Sequence, residues 1–278
     1  MPYKKSILLH RLGHFFRARR GAQVAGADLG ACSPLIPFDE RVVQIRKRVD
    51  ARHVEVFDGV MKRVDRAELE RLQRAYRDEF DAAKPLQNDG SGAKYLDIPY
   101  WTADKLQRDY GRDLLHGPPL RILDIGCGGG HFGALCEELG HEYVGIDLAY
   151  DVADKVSAML GLDRRIYRLE PQQTLPESLG RFDLVSALAI KFHHIDTSPG
   201  GEQILWTDED WDFFLRDVTG SRMFYPGTLH LQVNQRKLPS GKKAPLGDVL
   251  DRFEAIGARV SWPRSEIWLD VDGKTGLK

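Results

Sequence analysis

Apolar residues fall along this chain in two rhythms. In the first part they recur at steps of three and four: Phe57, Met61, Val64, Leu72, Tyr76 and Phe80. That spacing puts them on one face of helices. From residue 121 onward, short unbroken apolar runs alternate with helical stretches, which is the pattern of βα units around a mostly parallel sheet. The front half predicts a helix capped by Asp39 and running to about Arg63. Asp65 with Glu68 three residues later forms a capping-box pattern for a second helix, to about Ala83. Lys84 to Gly92 reads as a loop, and Thr102 to Leu115 as a shorter helix leading into Gly117-Pro118-Pro119. Tyr95, Tyr100 and Trp101, between loop and helix, read equally well as core packing or as a pocket wall.

The back half predicts strands at Ile122–Ile125, Tyr143–Ile146, Arg165–Leu169, Arg181–Ile190 and Thr228–Asn234. An antiparallel pair, Arg259–Trp262 and Ile267–Val271, closes the series. Helices are expected over His131–Leu139, Ala149–Leu160, Asp208–Val218 and Leu246–Ile256. Gly140 and Gly161 sit where a helix ends on a left-handed residue. Thr197 to Thr207 reads as a loop.

The densest chemical signal is Arg121-Ile-Leu-Asp-Ile-Gly-Cys-Gly-Gly-Gly130, followed by His141-Glu-Tyr-Val-Gly-Ile-Asp147. It is a strand, a glycine turn, a helix, a second strand and an acid: a nucleotide-binding half of a doubly wound sheet. The glycines let backbone approach a ligand without a Cβ in the way. Asp147, 21 residues after Gly126, stands where a carboxylate takes both hydroxyls of a ribose. A dinucleotide site wants glycine at position 131, where this chain has histidine, so the pattern is Gly126-x-Gly128-x-Gly130. Asp124 at the strand end would repel a pyrophosphate and suits a cation, such as an amino group or a sulfonium.

At these residues the chain resembles the class I S-adenosylmethionine-dependent methyltransferases. Leu123 to Gly130 match their first motif and Asp147 their ribose-binding acid; the likeness covers about residues 116 to 278. It implies an α/β fold with a Rossmann-like, seven-stranded, mostly parallel sheet and helices on both faces. Residues 116–278 would form the methyltransferase domain and residues 1–115 a helical N-terminal extension and cap. It implies S-adenosylmethionine as cofactor, bound by Asp124, Gly126, Cys127, Gly128, Gly130, Asp147, Leu148, Glu170 and Leu188. Cys127 would contribute backbone rather than thiol. The adenine-binding acid falls nearest Glu170, although Glu170-Pro-Gln-Gln departs from the family pattern and Gln172 is an alternative.

Methyl transfer in the family occurs beyond the fourth strand, here at Lys191-Phe-His-His-Ile-Asp196. The methyl carbon is already electrophilic, so the protein must hold the acceptor in line at about 3–3.5 Å and exclude water. His193 or His194 is the candidate base for a hydroxyl acceptor. An imidazole near pKa ~6.5 is largely neutral at pH 7, as a base must be. The implied function is methylation of a small-molecule or glycan acceptor at a hydroxyl oxygen. The alternatives are methylation of a nitrogen on a small metabolite, or a catalytically silent relative that uses the fold to bind a partner.

Composition narrows the rest. Hydrophobic residues make up 42% and charged residues 29%, ordinary for a soluble globular chain. No run approaches the roughly 18 apolar residues of a membrane span. Cys32, Cys127 and Cys136 form no Cys-x-x-Cys pair, which argues against a zinc site or disulfide framework and for a cytoplasmic setting. Adjacent histidines on an extended segment diverge, so His193 and His194 do not suggest a metal. The net charge of −1 hides an asymmetry, because residues 1–20 carry six basic side chains, Lys4, Lys5, Arg11, Arg17, Arg19 and Arg20, and no acid. With Leu8, Leu9, Leu12, Phe15 and Phe16 they form a basic amphipathic pattern. It fits peripheral contact with the inner face of a membrane, or docking on the protein itself. The catalytic part is acidic, which argues against nucleic acid as a partner.

Overall fold

The computed structural model describes residues 28–78, 81, 92–107, 117–190, 192–195, 203–234, 236–237, 243–244, 246–262 and 265–273. The basic N-terminal segment 1–20, the expected loop over 84–91, the end of the helix expected to reach Leu115, Lys191, and residues 196–202 lie outside them. The chain divides into two compact units that interleave in sequence. The first runs to Pro119 and takes in Cys127–Gly145 and Ala149–Arg165; the second comprises Leu120–Gly126, Ile146–Leu148 and Ile166 onward.

The first unit is helical. Helix α1 spans Phe38–Arg46, α2 Val54–Arg63, α3 Arg66–Ala75 and α4 Ile98–Leu106. Helices α5, His131–Glu138, and α6, Asp151–Met159, complete it. The single helix expected from Asp39 to Arg63 is in fact two. Asp50 accepts the Arg52 N–H at 3.0 Å and starts a 3-10 turn over Ala51–His53, so the chain turns between α1 and α2. The cap before α1 is Pro37, not Asp39. Asp65 caps α3 as expected, accepting the Glu68 N–H at 3.1 Å; α3 closes at Tyr76, and Arg77, Asp78 and Asp81 beyond it are again helical.

Helix α4 starts earlier than expected, because Asp97 caps it and Pro99 sits in its first turn. That carboxylate is fully buried and accepts from Ser33 N at 2.6 Å and Arg41 Nη2 at 2.8 Å. Ile45, Phe57, Val60, Leu69, Leu72, Leu96, Ile98 and Leu106 pack with Leu135 and Val156 into one core.

The sheet has seven strands: β1 Arg121–Ile125, β2 Glu142–Asp147, β3 Arg164–Ile166, β4 Phe182–Ile190, β7 Met223–Val233, β10 Arg259–Ser261 and β11 Glu266–Val271. Their order is β10-β11-β7-β4-β1-β2-β3. Strand β4 is parallel to both β1 and β7. Strand β11 runs antiparallel to β7 and to β10, the closing pair the pattern predicts. Two short ribbons stand apart: β5 His193–Ile195 with β6 Gln203–Leu205, and β8 Arg236–Lys237 with β9 Lys243–Ala244. In the second unit, helices α7, Asp208–Asp217, and α8, Gly247–Ala255, contribute Trp211, Phe214 and Phe253 to an aromatic cluster with Phe192 and Trp206. Strand β7 begins five residues before the expected Thr228. Strand β3 ends at Ile166, short of the expected Leu169.

Candidate cofactor and acceptor site

Strand β1 delivers Asp124 to its carboxyl end, buried to 4% exposure. Its register partner on β4 is Ser186, whose hydroxyl donates to Asp124 Oδ1 at 2.7 Å. The chain then turns at Gly126, whose N–H donates to Ile146 O at 2.7 Å. Its φ is +75°, and a Cβ there would fall 2.0 Å from Ile190 Cγ2, so only glycine fits. Asp147 ends β2, and its Oδ1 accepts the Leu148 N–H at 2.7 Å, which sets the carboxylate's direction. Leu148 itself is an exposed apolar side chain. Leu188 is buried on β4 opposite Gln232 of β7. Glu170 lies part-buried beyond β3, 3.6 Å from Arg168 Nε. The alternative to it, Gln172, gives its side-chain amide to Asp210 at 2.8 Å.

In the first unit, Gly128 and Gly130 continue the turn at φ +56° and +80°. Gly130 is the residue before α5. The Cys127 side chain packs toward Gly145, where an added Cβ would meet its Sγ at 2.8 Å. The thiol is thus turned onto β2. Arg164 Nε donates to Gly128 O at 3.1 Å and its guanidinium pairs with Asp154. No motif in the sequence marks Arg164, or Ser186, as supports of the turn.

Of the three aromatic candidates, Tyr95 approaches the turn: a Cβ on Gly128 would lie 3.1 Å from its Cε1. Trp101 donates its indole N–H to Lys94 O at 2.8 Å. Tyr100 sits instead beneath Arg41, 5.9 Å from its guanidinium carbon. His193 and His194 are consecutive residues of β5, in register with Leu205 and Ile204 of β6.

A family model described as a methyltransferase domain matches residues 69–200. It contains the glycine turn, Asp124 and Asp147. Over just under half of its length, the chain is similar to a methyltransferase domain of the S-adenosylmethionine-dependent kind. It is 29% identical over 147 residues to a ubiquinone biosynthesis O-methyltransferase of Xanthomonas oryzae pv. oryzae (strain PXO99A), covering 48% of this chain and 61% of that one. It is 34% identical over 136 residues to the protein of the same name from Bordetella avium (strain 197N), covering 44% and 52%. The chain thus spans between half and three-fifths of these two relatives. A solved O-methyltransferase family protein from Burkholderia thailandensis aligns loosely, with a TM-score of 0.38, 12% identity, and 74% and 71% coverage.

The cofactor of this family is S-adenosylmethionine, and the donor set here fits it. One strand-end carboxylate, Asp124, suits an ammonium, and a second, Asp147, suits a pair of hydroxyls. The turn between the strands is bare backbone at three left-handed glycines. Among the described residues, no helix is long and apolar enough to cross a membrane.

Proposed function

We propose that this chain methylates a hydroxyl oxygen of a small-molecule or glycan acceptor. The observation that carries the reading is the buried, Ser186-bonded Asp124 at the start of a left-handed glycine turn, with Asp147 at the end of the next strand. The name shared by its relatives, ubiquinone biosynthesis O-methyltransferase, supports oxygen as the acceptor atom. When bound, S-adenosylmethionine supplies an electrophilic methyl carbon on a sulfonium. In this reading Asp147 holds the ribose, the Gly126–Gly130 backbone takes the amino-acid part, and Asp124 faces its ammonium. Leu148, Leu188 and Glu170 serve the remainder of the cofactor. His193 or His194 accepts the acceptor's proton. Residues 116–278 carry the chemistry and residues 1–115 are a helical extension.

Methyl consumption over a panel of hydroxylated and aminated acceptors tests this. Methyl ethers are the expected products, and transfer confined to amines would contradict it. Replacing the base, His193→Ala or His194→Ala, is expected to lower turnover about 10²–10⁴-fold with cofactor affinity kept. If both variants keep turnover within a few-fold, positioning alone drives the reaction. Residues 1–20 are proposed to bind anionic surfaces. Vesicle sedimentation should then fall at high salt and on their deletion, and its absence at low salt would leave docking on the protein.

A further inference from the structure

Within the second unit, two short ribbons leave the sheet from neighbouring strands. Strands β4 and β7 are parallel, and their last paired residues are Ile190 and Val233. Three residues past Ile190 the chain enters β5 at His193, and three past Val233 it enters β8 at Arg236. The two exits are tied together. Asn234, the residue after β7, gives its side-chain amide to Ala189 O at 2.9 Å. The root of the β5–β6 ribbon is fixed by Phe192 and Trp206, whose rings meet edge-on at 4.9 Å. The Trp206 N–H also donates to Phe192 O at 3.3 Å. Open α/β sheets bind ligands at the carboxyl ends of their strands, which is where both ribbons start.

Charge sets the second ribbon apart. Residues 116–278 carry more acids than bases, yet no acidic residue falls between Asp217 and Asp248. Arg236, Lys237, Lys242 and Lys243 lie in that stretch. Register then singles out two of them. Lys237 stands directly opposite Lys243, and Arg236 opposite Ala244. Successive strand positions alternate faces, so the two lysine positions share one face of the ribbon and Arg236 belongs to the other. Directly opposed residues of an antiparallel pair have Cβ atoms about 4.5–5.5 Å apart, and like charges there destabilise the pair. A two-stranded ribbon has little stability of its own to offset that. An oxyanion on the same face turns the repulsion into two attractions, since each ammonium brings three N–H donors. The lysine rung is thus a charge arrangement that an anion completes.

We propose that Lys237 and Lys243 bind an oxyanion of the methyl acceptor, a carboxylate or a phosphate, so that the acceptor is a hydroxylated acid. The proposal rests on the reading of this chain as an oxygen methyltransferase and adds the charge of the substrate to it. It places the anion at the same end of the sheet as the ribbon that carries His193 and His194.

Calorimetric titration of the full chain at low salt, with benzoate and with inorganic phosphate, reads the site without turnover. One of the two should bind at a single site, which names the group. Lys237→Gln and Lys243→Gln should each weaken that anion about tenfold. Arg236→Gln, on the other face, and Lys47→Gln, in the first unit, should leave it unchanged. Lys243→Glu makes the rung an opposite-charge pair. It should abolish anion binding while the melting temperature holds or rises. A parent that binds neither anion overturns the site. So does an equal loss in Arg236→Gln or Lys47→Gln, or a fall in melting temperature with Lys243→Glu. Turnover then tests the acceptor class. Catechol is compared with its acidic derivative, 3,4-dihydroxybenzoate or 2-hydroxyphenyl phosphate according to the anion bound. The derivative should have the lower KM, and Lys237→Gln should raise that KM alone and leave kcat in place. Equal KM values in the parent overturn the proposal. Anion binding that follows the lysine rung, with methyl transfer confined to amines, upholds the site and contradicts the oxygen reading, which is a separate result.

Discussion

The Ser186 hydroxyl bonds the Asp124 carboxylate across the β1–β4 pair at 2.7 Å, with both side chains buried. A buried carboxylate needs donors, and Ser186 is one that the neighbouring strand places by register alone. Ser186→Ala removes a hydrogen bond to a charged group, worth about 1.5–3 kcal/mol. The variant should therefore unfold at a lower temperature and bind S-adenosylhomocysteine more weakly. Scanning calorimetry and titration together check this; an unchanged melting temperature and an unchanged affinity would remove Ser186 from the site.

That pair shows where the sequence is readable and where it is not. The glycine turn, Asp124 and Asp147 are legible because positive φ, close approach and strand-end charge each demand particular residue types. Ser186 carries no such mark inside an apolar strand; it matters only through pairing with a strand 62 residues away. The break between α1 and α2 was hidden for the opposite reason. Apolar spacing runs on across it, and the local signal, Asp50 as the cap of a new turn, competes with that rhythm. For α4 the signals were present, Asp97 followed by Pro99, but lay ahead of the point where the apolar pattern begins. Strand β7 contains Pro226 and Gly227, residues that read as a strand boundary. The three-residue strands β5 and β6 are too short for periodicity to reveal.

Asp97 joins α1, α4 and the segment before α1 into one buried cluster, so it should dominate the stability of the helical unit. Its carboxylate takes Arg41, the Ser33 N–H and the Tyr100 N–H at the α4 cap. Removing one member of a buried ion pair typically costs about 3–5 kcal/mol. Asp97→Ala should reach that range in urea unfolding. Asp97→Asn keeps an oxygen for the cap and should lose less. Equal losses would mean that the charge, not the cap, is what the cluster needs; no loss in either would contradict its role.

His131 gives the fold a pH dependence of known sign. An unfolded histidine takes a proton near pH 6.5, whereas folded His131 stays neutral down to about pH 3. Its folded pKa is depressed, so the contribution is complete above pH 6.5 and is lost as pH falls toward 3. The loss between pH 7.5 and pH 5 amounts to about 2 kcal/mol, at ~1.4 kcal/mol per unit. The carboxylates held below their usual range by arginine and lysine partners, Asp58, Glu68 and Asp151, act at lower pH and do not enter this window. Urea unfolding at the two pH values should show this loss in the parent and a smaller one in His131→Gln. Identical losses would mean that His131 is not buried and neutral.

Calorimetric titration of the parent and of Asp147→Ala with S-adenosylmethionine, and of the parent with NAD, tests the cofactor assignment most directly. The parent should bind S-adenosylmethionine and not NAD. Asp147→Ala should lose about 1.5–3 kcal/mol for each charged hydrogen bond removed. Tight binding of NAD with none of the sulfonium cofactor would contradict the assignment and make this turn a dinucleotide site.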